Sequence, residues 1–258
     1  MKENNDVRIS VGESGTGGGF KRFCAGEVDL SNASRPIKDS EKQQCAQAGV
    51  EFLELQIAYD GLSIAVHPDN TFVQCLTVAE LKKLWEPGSK VRLWSELRAG
   101  FPSTEIKLYG PGTNSGTFDY FTEAIVGRED ASRPDYTASE DDNVLVQGVS
   151  GDKSSIGYFG YAYYKENESR LKLVGVDAGS GCISPGPETI KSGAYKPLSR
   201  PLFIYVTNQA LARPEVQAFM RFMNENGAEL IPQVGYVPMD APRYQENIGK
   251  LGSEPTRF

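Results

Sequence analysis

Histidine is almost missing: His67 is the only one in 258 residues, which leaves metal sites and histidine-based catalysis little to work with. It precedes Pro68-Asp69-Asn70, an apparent loop, where a surface histidine is expected and a Ser–His–Asp triad is not. A basic excess is missing too, with 27 Lys and Arg against 34 Asp and Glu and a net charge of −7. Nucleic-acid binders carry a basic footprint, so no nucleic-acid partner is expected. A small anion held by local backbone dipoles stays compatible with that charge. No run of about 18 apolar residues occurs, which excludes a membrane-spanning helix, and the polar opening Met1–Asp6 contains no apolar leader core. Cys24, Cys45, Cys75 and Cys182 include no CxxC pair, so zinc-ligand spacing is absent and no metal or other cofactor is expected. Two disulfides and four buried thiols both stay open. If disulfides form, Cys24–Cys45 with Cys75–Cys182 is favoured, because the first two lie close in sequence, and the compartment is then oxidising.

What is present suits a packed protein. The 39% hydrophobic content rises to roughly 49% when the 27 glycines are added, and the length fits one large domain or two small ones. Val7–Val11 alternates apolar and polar residues as a strand does, Gly12–Gly19 reads as a glycine-rich turn, and Phe20–Ala25 has helical spacing. Val28–Ala33 is a predicted strand, and Asp39–Gly49 a polar helix capped by Asp39 or Ser40. Glu51–Ala58 and Leu62–Val66 read as two strands. Leu76–Trp85 reads as a helix with Thr77 and Glu80 as a capping box. Ile106–Tyr109 leads into a second glycine turn, Gly110–Thr117, with a helix behind it over Phe118–Ile125. Asp141–Val149 reads as a helix, and Ile156–Phe159, Leu171–Val176 and Leu202–Thr207 as strands. Pro214–Gly227 is an amphipathic helix with Gly227 just past its end. Such alternation predicts an α/β fold with largely parallel sheets.

Both turns sit where a strand feeds a helix, and both carry hydroxyls: Ser14 and Thr16 in the first, Ser115 and Thr117 in the second. Helix starts offer unpaired N–H groups, glycine lets the backbone approach a ligand, and hydroxyls donate without charge. Two such turns together would cage a compact tetrahedral oxyanion; each alone could be a simple helix cap. Gly12-xxxx-Gly17 begins like a P-loop but continues with Gly18 and Gly19 where Lys and Ser/Thr are required. Gly12-Glu13-Ser14-Gly15-Thr16 misses the last glycine of a nucleophile elbow. Arg35 follows a strand end, where it could clamp an oxyanion or lie on the surface. Glu140-Asp141-Asp142 reads as an acidic helix start. Tyr158, Tyr161, Tyr163 and Tyr164 read as packing residues.

Five stretches carry a resemblance: Gly15–Lys21, Val28–Pro36, Asn114–Phe118, Ile156–Tyr163 and Gly235–Pro238. In this order and spacing the chain resembles the phosphate-binding proteins of bacterial ABC phosphate importers, the PstS type. The resemblance implies a type II periplasmic-binding-protein fold: two α/β domains, 1–63 with 204–258 and 64–203, joined by strand-like hinge crossovers. It implies inorganic phosphate in an interdomain cleft, an ABC permease as membrane partner, a monomer, and a periplasmic or cell-surface location. Its contacts would be Ser14 or Thr16, Ser34 and Arg35 in the first domain, and Ser115, Gly116 and Thr117 in the second.

Two departures stand out. Ser34-Arg35 falls where well-known members carry Ser-Asp, whose aspartate accepts the phosphate proton and rejects sulfate; arginine has no acceptor. Those members also carry an arginine where Pro111 stands here. The Ser-Arg-Pro sequence is identified as a variant branch, with Asp135 beside Arg133 as candidate replacement acceptor. The chain also starts after the strand and Gly-Ser-Ser/Thr turn with which members begin, so an incomplete first domain with an edge or gap beside Val7–Val11 is expected. Other readings are a secreted serine hydrolase or phosphatase using Ser14, and a scaffold that kept the fold without the ligand.

Overall fold

The computed structural model describes residues 8–12 and 14–252. In chain order its strands are β1 (Leu30–Ala33), β2 (Phe52–Val66), β3 (Cys75–Thr77), β4 (Lys107–Pro111), β5 (Thr137–Ser139), β6 (Ser155–Gly160), β7 (Lys172–Asp177), β8 (Cys182–Ile183) and β9 (Ser199–Thr207), followed by the short Val237–Pro238. The chain divides into two compact units, one of Met1–Ala58, Pro201–Gln233 and Pro238–Phe258, the other of Tyr59–Arg200 and Val234–Val237. Strands β2 and β9 each contribute residues to both.

In the first unit β1 pairs antiparallel with β9, from Leu30 opposite Val206 to Ala33 opposite Phe203. The period-two alternation of a strand sorts β9 onto two faces. Phe203 and Tyr205 pack with Phe20, Phe23 and Cys45 from the helices Thr16–Cys24 and Asp39–Gln47. Ile204 and Val206 pack on the other face with Leu55, Val216 and Met220, the last two from the helix Pro214–Glu225. The Cys24–Cys45 disulfide ties the two helices of the first face together.

In the second unit β2 pairs antiparallel with β6 and with β7, while β4 runs parallel to both β6 and β5. Leu62, Ile64 and Val66 face a core built on Trp85, Trp94, Phe121 and Tyr158, and Ala65 faces Leu145, Val149 and Phe159. Tyr158 stacks on Phe121 at 3.7 Å and meets Trp85 edge-on at 4.9 Å, so it is a packing residue. Tyr161, Tyr163 and Tyr164 pack at the margins of these cores. Cys75–Cys182 bridges β3 and β8, and both disulfides follow the favoured pairing.

Several elements differ from the sequence expectation. The sheets are mixed rather than largely parallel, because β1–β9, β2–β6, β2–β7 and β7–β8 are all antiparallel. Residues 8–12 form no strand, and Val7 and the polar opening lie outside the described residues. Glu51–Ala58 and Leu62–Val66 are parts of the single strand β2, which runs on through Asp60-Gly61, where a Cβ at Gly61 would fall 2.4 Å from Ile190 Cδ1. Glycine there serves close packing. The helix Asp39–Gln47 is entered from Lys38, whose N–H donates to Glu41 Oε2 at 2.8 Å, so neither Asp39 nor Ser40 is the cap. Thr77 does cap the helix Val78–Trp85, accepting from the Glu80 N–H at 3.1 Å while Glu80 accepts from the Thr77 N–H at 2.8 Å. Gly227 lies just past the end of the helix Pro214–Glu225, as expected, and also opens a further helix, Gly227–Gln233.

Candidate functional site

The first unit gathers its hydroxyls at the start of the helix Thr16–Cys24, where Gly15 caps without a side chain. β1 ends at Ala33, so the next residue, Ser34, emerges beside that helix start. The Thr16 and Ser34 hydroxyls lie 3.1 Å apart, and the Ser34 N–H donates to Thr16 Oγ1 at 3.2 Å. Ser14 folds back over the first turn: a Cβ on Gly18 would meet Ser14 Cβ at 3.0 Å, and one on Gly19 would meet Ser31 Oγ at 2.8 Å. Ser31 is 5% exposed, and its hydroxyl has no partner among the described residues. Sequence reading did not single it out. Its signal is its alternation with Asn32 in β1, which turns it toward the glycine-rich helix.

Arg35 is placed with this group but does not present a free fork. Its Nη1 and Nη2 donate to the two carboxylate oxygens of Glu41 at 2.8 Å each, and its guanidinium lies 5.5 Å from the centre of the Phe20 ring. The hydrogen-bonded guanidinium holds the Glu41 carboxyl below the usual carboxylate range. The cation expected to clamp an oxyanion is therefore one half of an ion pair.

The second unit builds its counterpart on the turn after β4. Ser115 caps the helix Gly116–Phe121, its hydroxyl accepting from the Thr117 N–H at 3.2 Å, and the Ser115 N–H donates to the Gly112 carbonyl at 3.1 Å. Gly116 faces open space where a Cβ would be. The turn is pinned from the other side by Glu140, which accepts from the Asn114 N–H at 3.3 Å and sits where a Cβ on Gly112 would meet Oε1 at 2.1 Å. Asp141 caps the helix Asp142–Gly151, accepting from the Asn143 N–H at 2.9 Å. Burial, with Asp141 and Glu140 nearby, pushes the Asp142 carboxyl up to about 6. The neutral donors of this turn thus lie against an acidic rim.

Arg133 and Asp135 are not brought to that turn. The parallel register sets Tyr109 opposite Thr137 and Pro111 opposite Ser139, so Asp135 precedes β5 at the far end of the ladder from residues 112–117. Arg133 is 2% exposed; it donates to both Asp135 oxygens at 2.7 and 2.9 Å and to the Leu84 and Val91 carbonyls at 3.0 Å. That guanidinium holds Asp135 well below the carboxylate range, which unsuits it to accept a proton. The pair is a staple of the fold.

A polar trio that sequence reading missed lies elsewhere in the second unit. Asp60 is buried in β2; Arg200 of β9 donates to its Oδ2 through Nε at 3.2 Å, and Nη2 lies at ion-pair distance, 3.2 Å, from the same oxygen. The Arg200 guanidinium lies 3.7 Å from the centre of the Tyr120 ring, and the Tyr120 hydroxyl donates to the Pro197 carbonyl at 2.7 Å. Burial raises the Asp60 carboxyl and Arg200 opposes the rise. The sequence signal was a charged residue inside an otherwise apolar strand pattern, which looked like a break between two strands.

The chain matches the PBP superfamily domain over residues 1–226. It is 48% identical over 248 residues to the protein SphX of Synechocystis, covering 95% of this chain and 73% of that one. To the phosphate-binding protein PstS of Staphylococcus saprophyticus it is 41% identical over 252 residues, covering 97% of this chain and 76% of the relative. Among solved structures it is similar to a possible phosphate-binding protein from Planctomyces limnophilus, with TM-score 0.86 and 48% identity over 93% of this chain and 86% of that one. Sequence, fold and hydroxyl-lined helix starts agree: the chain belongs to the PstS-type family of solute-binding proteins, with their type II α/β fold.

Proposed function

We propose that this protein captures inorganic phosphate and hands it to the permease of an ABC importer, working as a monomer outside the cytoplasmic membrane. The observation that carries this reading is chemical: in a chain of the PstS-type family, each unit gathers hydroxyls and helix-start N–H groups in one place. The proposed ligands are Ser14, Thr16 and Ser34 in the first unit and Ser115, Gly116 and Thr117 in the second. Arg35 takes part as the Arg35–Glu41 pair. Arg133 and Asp135 are left out, because they are spent on each other and on backbone carbonyls. The proposed hinge is the passage of β2 and β9 from one unit to the other, near the expected bounds of domains 1–63 with 204–258 and 64–203.

Hydrogen bonds to a charged group net about 1.5–3 kcal/mol each, so five or six outweigh the loss of phosphate hydration. Neutral donors make this affinity less sensitive to salt than a lysine-lined site would be. Two disulfides fit an oxidising compartment, as periplasmic or cell-surface delivery requires. Catalysis is not part of the proposal. Ser14 lies against Gly18 and Gly19, while His67 Nδ1 accepts the Asp69 N–H at 3.0 Å within its own loop.

Titration calorimetry with phosphate, arsenate and sulfate tests the reading. Phosphate is expected to bind at least about tenfold tighter than sulfate, and equal binding would defeat the assignment. Ser14-dependent turnover of p-nitrophenyl phosphate would favour the hydrolase instead.

A further inference from the structure

We infer that Arg200 is a phosphate-contacting residue of the second unit, held in place for that purpose by Asp60 and Tyr120. The inference rests on the phosphate-binding reading of the Ser115–Thr117 turn and adds to it the cation which that turn lacks.

Donor use separates Arg200 from the other two arginines considered. Arg35 is engaged end-on, both of its terminal nitrogens bonded to the two oxygens of Glu41. Arg133 spends Nε and Nη2 on Asp135 and Nη1 on two carbonyls, and is 2% exposed. Arg200 is engaged edge-on, with Nε and Nη2 converging on the single oxygen Oδ2 of Asp60. Its Nη1 has no partner among the described residues, and its side chain is 19% exposed. A planar guanidinium held along one edge offers its remaining edge to an oxyanion in a fixed direction, with little entropy left to lose on binding.

The surroundings hold the guanidinium in place. The guanidinium lies over the Tyr120 ring, and the Tyr120 hydroxyl is tied to the Pro197 carbonyl, so the ring is a fixed platform. Tyr120 belongs to the helix Gly116–Phe121 that Ser115 caps, and a helical side chain leans toward the N-terminal turn of its own helix. Arg200 thereby lies over the helix that opens with Gly116 and Thr117. Its charge also reaches Asp119 on the same helix, opposing the rise that burial imposes on that carboxyl. With Glu140, Asp141 and Asp142 bordering the turn, a phosphate there needs a local cation. Arg200 lies beside that helix with its Nη1 unspent among the described residues.

The test uses the full chain. Phosphate Kd is measured by calorimetry for the wild type, Arg200→Gln and Arg200→Lys, with the melting temperature of each. Arg200→Gln is expected to weaken binding about 10- to 100-fold, and Arg200→Lys to recover part of that loss by restoring the charge. In side-chain nitrogen NMR, the arginine Nε–H resonance that disappears in Arg200→Lys should shift when phosphate is added to the wild type. A lower melting temperature with unchanged Kd in Arg200→Gln would make the trio a structural staple and overturn the inference. A stationary Arg200 resonance would overturn it as well, and that result decides alone if Arg200→Gln does not fold. If the wild type itself shows no phosphate binding, the functional reading fails. If the wild type binds and Arg200→Gln binds equally well, only the inference fails.

Discussion

The two units prepare for the same kind of ligand by different means. In the first, the hydroxyls of Thr16 and Ser34 are already bonded to each other, and the nearby cation is matched by Glu41. In the second, Ser115 spends its hydroxyl on its own helix start, the rim is acidic, and the nearby cation Arg200 is matched by Asp60. Neither arrangement presents an uncompensated positive field. Capture must therefore depend on directed hydrogen bonds, which suits a protein of net charge −7 and separates recognition from simple charge attraction. The difference also says where each unit is vulnerable. A lost hydroxyl in the first unit leaves a partner without its bond, while a lost hydroxyl in the second uncaps a helix.

The disulfides give the sharpest way to break the comparison. Cys24–Cys45 closes 21 residues in the first unit and Cys75–Cys182 closes 107 in the second. By loop-closure entropy the longer bridge contributes about 5 kcal/mol and the shorter about 3 kcal/mol. Cys75→Ser with Cys182→Ser should therefore lower Tm more than Cys24→Ser with Cys45→Ser, and the reverse order in a calorimetric scan would show that native-state packing outweighs chain entropy. Next in size, Ser115→Ala with Thr117→Ala should weaken phosphate binding about 100-fold. Unchanged affinity would move the second unit's contact elsewhere. Thr16→Val should cost about tenfold in the same titration, because the Ser34 hydroxyl and N–H lose their partner while the shape is kept.

The smallest effect concerns the acidic rim. Asp142 titrates near 6 in the folded chain, against an ordinary value of 3.8. Between those values the folded state keeps a proton that the unfolded chain has released, so stability falls as pH rises through that window. Asp142→Asn removes the penalty. It should raise Tm by about 1–3 °C at pH 7.5 and leave it unchanged near pH 2.5, where the carboxyl is neutral in the folded and the unfolded chain. An equal rise at both pH values would mean that burial of the side chain, not its charge, is responsible.

Local chemistry was legible in the sequence; distant partners were not. The Thr77–Glu80 capping box and the turn that Ser115 caps are settled within a few residues, and both could be read directly. The fate of Arg35 depends on how the Asp39–Gln47 helix begins, since that start sets Glu41 under its fork. The continuity of β2 through Asp60-Gly61 was not legible because its reasons lie far along the chain: Arg200 for the carboxylate and Ile190 for the missing side chain. Asp135 looked available beside Arg133, and only the β4–β5 register reveals which end of the sheet it occupies. Strand direction was misjudged for the same reason. Alternating helices and strands suggest parallel pairing, but β9 takes an antiparallel neighbour in the first unit and β2 takes two in the second.

Both tryptophans, Trp85 and Trp94, are buried in the core of the second unit, at 1% and 0% exposure. The first unit has aromatic rings but no indole, so under tryptophan-selective excitation it is optically dark. An emission trace recorded during denaturation reports the loosening of one unit and passes over the other. A single sharp fluorescence transition in this protein is therefore no proof of all-or-none unfolding. An indole placed at Phe52, which meets Phe23 and Tyr205 edge-on, would give the dark unit a signal of its own.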